Sequence, residues 1–196
     1  MLRTRLIQTV GAILVGGAAF AAITPLLPFQ EPMKPDAEHG KVTAGVGEWE
    51  GSLFMAIPGM DEPMEMPCSE SIKAVGEFWT TSEFSGNFGG MPFTGASTMG
   101  YDPKKKKFVG TWIDNQHPYM AMMEGDWDAE KNAIVMHYDM FDTMSGGWLK
   151  MRNETVHADG KYVITFYQLA DEGESEMMRI EMTKKAAEAV EAGSGR

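Results

Sequence analysis

Sulfur is the most concentrated chemistry in this sequence: 18 of its 196 residues are methionine and one is cysteine. Met60, Met64, Met66 and Cys68 fall in one stretch punctuated by Pro58, Pro63 and Pro67, with Asp61, Glu62 and Glu65 between them. Thioether and thiolate ligands select Cu(I), and proline-held spacing would converge three such sulfurs. The plainer use of such a stretch is an apolar lid, so these four residues stand as metal candidates behind that use, and no cofactor is expected. Met120, Met122, Met136, Met140, Met151, Met178 and Met182 occupy strand-like positions, where flexible thioethers fill irregular space.

The other groups that could do chemistry are scattered. Glu124 and Asp126 share a parity, and paired carboxylates can do acid–base work. With Asp128 and Glu130 beside them, a solvated strand end accounts for them better. No Gly-x-Ser-x-Gly elbow, Gly-Lys-Ser/Thr phosphate loop or His-Glu-x-x-His pair occurs. Gly45-x-Gly47 opens a strand, not a helix, so it does not read as a dinucleotide turn. Asn153-Glu154-Thr155 fits the glycosylation pattern but falls mid-strand. Of the four histidines, His39 lies in a Pro-rich segment and His117 precedes Pro118 in a turn. His137 shares parity with Val135, and His157 with Leu149 and Met151, so each is placed to face an interior. No catalytic residue, and no enzyme, is expected.

Length and charge narrow the remaining classes. A chain with 43% hydrophobic residues can bury one sizeable core. Its net charge of -11 argues against nucleic acid, since the only basic run, Lys104 to Lys107, sits on a turn. One cysteine permits no internal disulfide. At the N-terminus Arg3 and Arg5 precede an apolar run over 10–23, with Ala19-Phe20-Ala21 near its end. This is the layout of a secretory signal cleaved after Ala21, and export to the periplasm or beyond is expected. The alternative keeps the segment as an uncleaved inner-membrane anchor, the one membrane contact foreseen.

The elements that must position these groups read almost entirely as strands. The stretch 99–115 is the centre of the unit: alternation runs into it through Phe93, Gly95, Ser97, Met99 and Tyr101, turns at Asp102-Pro103, and leaves through Phe108, Gly110, Trp112 and Asp114. Repeating it predicts strands near 47–56, 69–75, 77–86, 92–101, 106–114, 119–127, 132–141, 147–157, 161–169 and 175–183. Asp159-Gly160 is the strongest hairpin signal, because the pair suits a type I′ turn. Loops this short impose antiparallel, up-and-down order. Ten such strands leave costly edges unless the sheet closes. The fold class expected is all-β, an up-and-down lipocalin-like barrel of about ten strands. It would occupy 43–184, after a signal at 1–21 and a Pro-rich linker at 22–42, with a tail at 185–196.

A resemblance supports this layout. Gly47-Glu48-Trp49-Glu50-Gly51, Gly89-Gly90-Met91-Pro92-Phe93-Thr94-Gly95, Gly100-Tyr101-Asp102, Gly110-Thr111-Trp112-Ile113-Asp114 and Met151-Arg152-Asn153-Glu154 resemble, in order and spacing, the bacterial family catalogued as domain of unknown function 1579. That family resembles the lipocalin-like, or calycin, barrels, whose first-strand Gly-x-Trp closes one end beneath a basic residue of the last strand. The resemblance implies that Trp49 and Arg179 make this closure, a structural role. It carries over no activity. A relative of these barrels binds haem through an interior histidine, which makes His137 and His157 axial-ligand candidates behind their use as hydrogen-bonded core imidazoles.

The expected function is binding of a small apolar or amphipathic molecule inside the barrel. Strand parity selects Phe78, Phe93, Met99, Trp112, Met122, Tyr138, Trp148 and Phe166 as the wall, with Arg152, Asp139 and Tyr138 as convergent polar groups. The alternative is a filled barrel acting as an envelope structural or interaction module. Soft-metal or haem binding comes third.

Overall fold

The computed structural model describes residues 32–57, 59–143 and 145–186. The signal expected at 1–21, residues 22–31 of the linker expected at 22–42 and the tail beyond 186 lie outside the described residues. The unit Pro35–Arg196 carries the fold.

Ten strands follow one short helix, α1 (Ala37–Thr43). They are β1 (Gly47–Met55), β2 (Met64–Val75), β3 (Trp79–Phe88), β4 (Met91–Asp102) and β5 (Lys107–Asp114), then β6 (Ala121–Asp128), β7 (Ala133–Asp142), β8 (Gly147–Ala158), β9 (Lys161–Ala170) and β10 (Gly173–Lys184). Each pairs antiparallel with its sequence neighbours, and β1 pairs with β10 to close the barrel. Local chemistry makes the turns. Asp102 Oδ1 accepts from the N–H groups of Lys104 and Lys105 (2.9 and 3.0 Å), while Asp159 and Gly160 both take positive φ, as a type I′ turn demands.

Two expectations change. Residues from 37 are not linker: Asp36 caps α1, accepting from the N–H of Glu38 at 3.0 Å, and His39 and Val42 are buried. Nor does residue 64 onward belong to a loop, because Met64–Val75 is one strand. Pro67, opposite Ser52 of β1, is tolerated there because pairing with β3 begins only at Cys68–Gly86.

Antiparallel order places the loops of alternate hairpins at opposite ends. At one end α1 acts as a plug. His39 meets Phe78 and Tyr101 edge-on (5.1 and 5.7 Å between centroids), and Val42 joins Phe108, Ile134 and Met136 in a buried cluster. A second cluster, built on Trp49, Leu53, Phe84, Phe93, Tyr162 and Ile180, fills the opposite side of the barrel. At the far end, hairpins β1–β2, β3–β4, β5–β6, β7–β8 and β9–β10 surround a mouth that no helix among the described residues covers. Close approach of a neighbouring strand's backbone needs Gly51 and Gly125, where a Cβ would stand 1.9 Å from the Glu181 carbonyl oxygen and 1.8 Å from that of Val135.

Candidate functional site

The side chains pointing down the barrel follow the strand period. Of the wall residues expected from sequence, Phe93, Met99, Trp112, Tyr138 and Phe166 face the interior. Phe93 stacks on Phe88 at 4.5 Å and lies nearly parallel to Trp112 at 6.4 Å. The Trp112 indole donates to Asp114 Oδ2 (3.1 Å), and Asp114 Oδ1 also accepts from the N–H groups of Gln116 and His117. Burial alone would raise the Asp114 carboxyl, yet these bonds and the His117 ring hold it below the ordinary aspartate value. Phe166 pairs with Asn153 across β8–β9, and Asn153 hydrogen-bonds the Tyr138 hydroxyl, whose pKa burial pushes up. The Tyr138–Asn153 pair is therefore a polar point in the wall beside Phe166.

Four expected wall residues lie elsewhere. Phe78 precedes β3 and packs on His39 at the plugged end. Met122 is 67% exposed, because the parity that puts Glu124 and Asp126 in solvent puts it there too; Met123 faces inward instead. Trp148 and Arg152 share the outward parity of β8, opposite to Met151. Trp148 is 58% exposed. Arg152 is only 8% exposed, but on the outside: its guanidinium lies over Tyr167 (4.3 Å) and bonds Glu174 (3.0 and 2.8 Å) and Glu154. Lys131 completes this network through Glu154, so Arg152 braces β8 and offers nothing to a ligand. Asp139 is also exposed, 3.8 Å from Lys150.

The closure at the plugged end uses a different cation from the one expected. The register β1–β10 sets Trp49 opposite Lys184 and Phe54 opposite Arg179. Lys184 Nζ lies 5.4 Å from the Trp49 ring centroid and donates to the Val46 carbonyl at 2.8 Å. Arg179 sits on the outer face over Phe54, bonded to Glu181 and Glu176. Sequence reasoning also missed the partner beneath Trp49. Buried Tyr162 packs on it at 4.7 Å and donates its hydroxyl to Glu70, an inward residue that shares parity with Cys68 and Ile72.

The two histidines expected as haem-ligand candidates lie on opposite faces of the wall. His137 is exposed. His157 faces inward but is packed beside Trp49 and Tyr162 (6.5 and 5.5 Å) at the plugged end. Burial, then the Lys184 charge, lowers its pKa.

The expected sulfur set is also divided. Met66 and Cys68 are buried in the core, with Cys68 Sγ 3.9 Å from Met182 Sδ, whereas Met60 and Met64 are exposed at the mouth. Burial, then the Glu70 charge, pushes the thiol up to about 11, which disfavours the thiolate. Among the described residues no group of three or more His, Cys, Asp or Glu side chains is placed to hold a metal.

Most of the exposed large apolar side chains lie near the mouth; Val75 and Trp79, at the plugged end, and Met33, ahead of α1, are the others. Met60 lies in the β1–β2 loop and Met64 starts β2, Met91 starts β4, Tyr119 and Met120 precede β6 and Met122 is its second residue, Met140 and Trp148 border the β7–β8 hairpin, and Met177 is near the start of β10. Tyr119, Phe141 and Trp148 form a mutual aromatic trio with centroids 4.7 to 5.4 Å apart. Acids accompany them: Asp61, Glu62, Glu65, Asp171, Glu172 and Glu176. Of the lysines from Lys41 to Lys185, only Lys150 is at this end.

A family model described as "Protein of unknown function (DUF1579)" matches residues 34–184, which takes in α1 and all ten strands. The chain belongs to this family. The crystal structure of Rv2717c from M. tuberculosis is similar to this DUF1579 barrel with a TM-score of 0.56 and 8% identity, over 78% of this chain and 100% of that one. At that identity the likeness extends to the fold alone. No curated protein matches the DUF1579 chain. Its match starts at residue 34, ahead of α1, in keeping with the helix being part of the barrel unit. Among the described residues no helix is long and apolar enough to cross a membrane.

Proposed function

We propose that this DUF1579 barrel holds a small apolar or amphipathic molecule at its open end, between the methionine and aromatic rim and the inner wall of Phe93, Trp112, Phe166 and Tyr138. The observation that carries the reading is the concentration of exposed Met, Tyr and Trp side chains around the mouth while α1 plugs the other end. Methionine adapts to varied apolar shapes and is over-used at promiscuous binding surfaces. The acidic collar repels anionic head groups, so neutral or cationic amphiphiles are favoured over fatty acids. The Tyr138–Asn153 pair supplies a convergent polar group beneath.

The test is native mass spectrometry of the protein purified from its own host, followed by titration of the apo protein with the neutral fluorophore N-phenyl-1-naphthylamine. A reproducible co-purifying molecule, and probe binding weakened in Trp148→Ser combined with Met122→Ser, support the reading. Both substituted residues are exposed, so the fold survives their loss. An apo mass with no probe uptake leaves a filled barrel serving as an envelope module, a use the stacked Phe88, Phe93 and Trp112 would suit.

Export is proposed alongside, on Arg3, Arg5 and the apolar run over 10–23. Intact mass of envelope-derived protein should lack about the first 21 residues, near the lower end of signal-peptide lengths. Full-length protein confined to membranes would point to an uncleaved anchor.

A further inference from the structure

The wall of the barrel is not paired all the way to the mouth. β6 pairs with β7 only from Asp128–Ala133 to Glu124–His137. Beyond that point β5 still holds β6 at Met123, Met122 and Ala121, and β8 still holds β7 from Tyr138 to Phe141. Among the described residues no pair joins these two stretches to each other. The same offset would have set Met123 opposite Tyr138, Met122 opposite Asp139 and Ala121 opposite Met140. A seam therefore runs from the end of the ladder to the rim, with backbone groups along it that lie outside any β6–β7 pairing. One ring spans it instead. Tyr119, ahead of β6, lies 4.7 Å from Phe141 on β7 and 5.4 Å from Trp148 on β8, centroid to centroid.

The flanks of the seam are soft and apolar. Met120, Met122 and Met140 are exposed beside it, and Met123 packs inward against the cluster of Phe108, Ile134 and Met136. Unbranched thioethers change shape without strain, so they give way to a passing molecule more readily than branched side chains. On the inner side stands Tyr138, whose hydroxyl bonds Asn153 beside Phe166. Asp61 and Glu62 of the acidic collar belong to the β1–β2 loop, and β1 lies about half-way round the wall from the seam. Exposed Asp139, at the seam itself, has Lys150 Nζ 3.8 Å away.

We propose that this seam is the port by which the apolar or amphipathic ligand reaches the inner wall, and that Tyr119 is its latch. The proposal rests on the binding reading above. Lifting the Tyr119 ring off Phe141 and Trp148 breaks two ring contacts and no bond of the β6–β7 ladder, so opening leaves the barrel in place. A molecule crossing there meets thioethers and rings first, and the Tyr138–Asn153 pair next.

The experiment is stopped-flow uptake and release of N-phenyl-1-naphthylamine by the whole protein, followed by probe fluorescence. Tyr119→Ala should raise the association and dissociation rates together by about tenfold, for the loss of two ring contacts, so affinity moves far less than either rate. Tyr119→Phe keeps the ring and should match wild type. Met122→Cys/Asp139→Cys puts two thiols at exposed positions across the seam, while Cys68 stays buried. Once oxidised, that variant should take up probe more than about tenfold slower, as a gate held shut, and dithiothreitol should restore the rate. Should the thiols not join, the Tyr119 variants still decide. No uptake by wild type would remove the binding reading and the port with it. Normal binding with unchanged rates in Tyr119→Ala, or in the oxidised protein, would overturn the port alone and leave entry through the open mouth. A rise in the dissociation rate alone would also overturn it, since that marks Tyr119 as a contact of the bound molecule.

Discussion

Removing one hydroxyl tests how the plugged end is held. Tyr162, 2% exposed on β9, donates across the lumen to Glu70 on β2, three strands away around the wall. Burial, then the Glu70 charge, pushes the phenol pKa up, so Tyr162 remains a donor throughout the ordinary pH range. Tyr162→Phe keeps the ring contacts with Trp49 and His157 and deletes only this bond. A hydrogen bond to a charged group is worth ~1.5–3 kcal/mol, and Glu70 is only half-buried, so water recovers part of the loss. The expected cost is about 2 kcal/mol, a Tm drop of about 4–8 °C for a domain of this size. In a Glu70→Gln background the same substitution removes a neutral bond and should cost only ~1 kcal/mol. Urea unfolding followed by far-UV circular dichroism, on all four members of the cycle, measures the coupling. A Tyr162→Phe protein within about 0.5 kcal/mol of wild type, or an equal cost in both backgrounds, would refute the cross-lumen bond as a stabilising strut.

Four further outcomes follow from the same geometry. Gly51→Ala and Gly125→Ala each force a Cβ into a carbonyl oxygen and should cost about 3 kcal/mol or prevent folding, whereas Gly86→Ala meets no backbone and nothing closer than the Phe88 ring at 3.3 Å; thermal melts of the three rank them. Cys68 should resist Ellman's reagent at pH 8 in the native state and react once urea unfolds the barrel, and rapid native labelling would contradict its burial. His157 has a lowered pKa in the fold, so the unfolded chain takes up its proton first. Stability should be full above the ordinary histidine value and fall as pH drops through that value toward the folded one, a slope that His157→Phe flattens in urea titrations. Exposed Arg179→Ala should change stability by less than about 1 kcal/mol, and a larger loss would argue that Arg179, not Lys184, makes the closure.

The period-2 alternation and the turn residues are local properties, and they placed nine of the ten strand starts within about three residues of where they lie. Parity also contained more than was read from it: Glu124 and Asp126 already directed Met122 outward, and Met151 directed Trp148 and Arg152 outward. Glu70 was likewise legible through Cys68 and Ile72.

Other features could not be read because they depend on contacts between distant segments. Seven residues are too few to show a helical period, and α1 stands because His39 and Val42 find Phe78, Tyr101 and Phe108 beneath them. Pro67 sits in a strand only because β3 has not yet reached it. Which cation covers Trp49 depends on the closing register of β1 on β10, and no pattern within either strand contains that offset. The sequence by itself determined a closed all-β barrel, since alternation and turn chemistry act between near neighbours. Tertiary pairing alone decided that most of the exposed methionines lie near one mouth and that β10 carries Met177 as an extra residue, because a bulge exists only relative to the strand beside it.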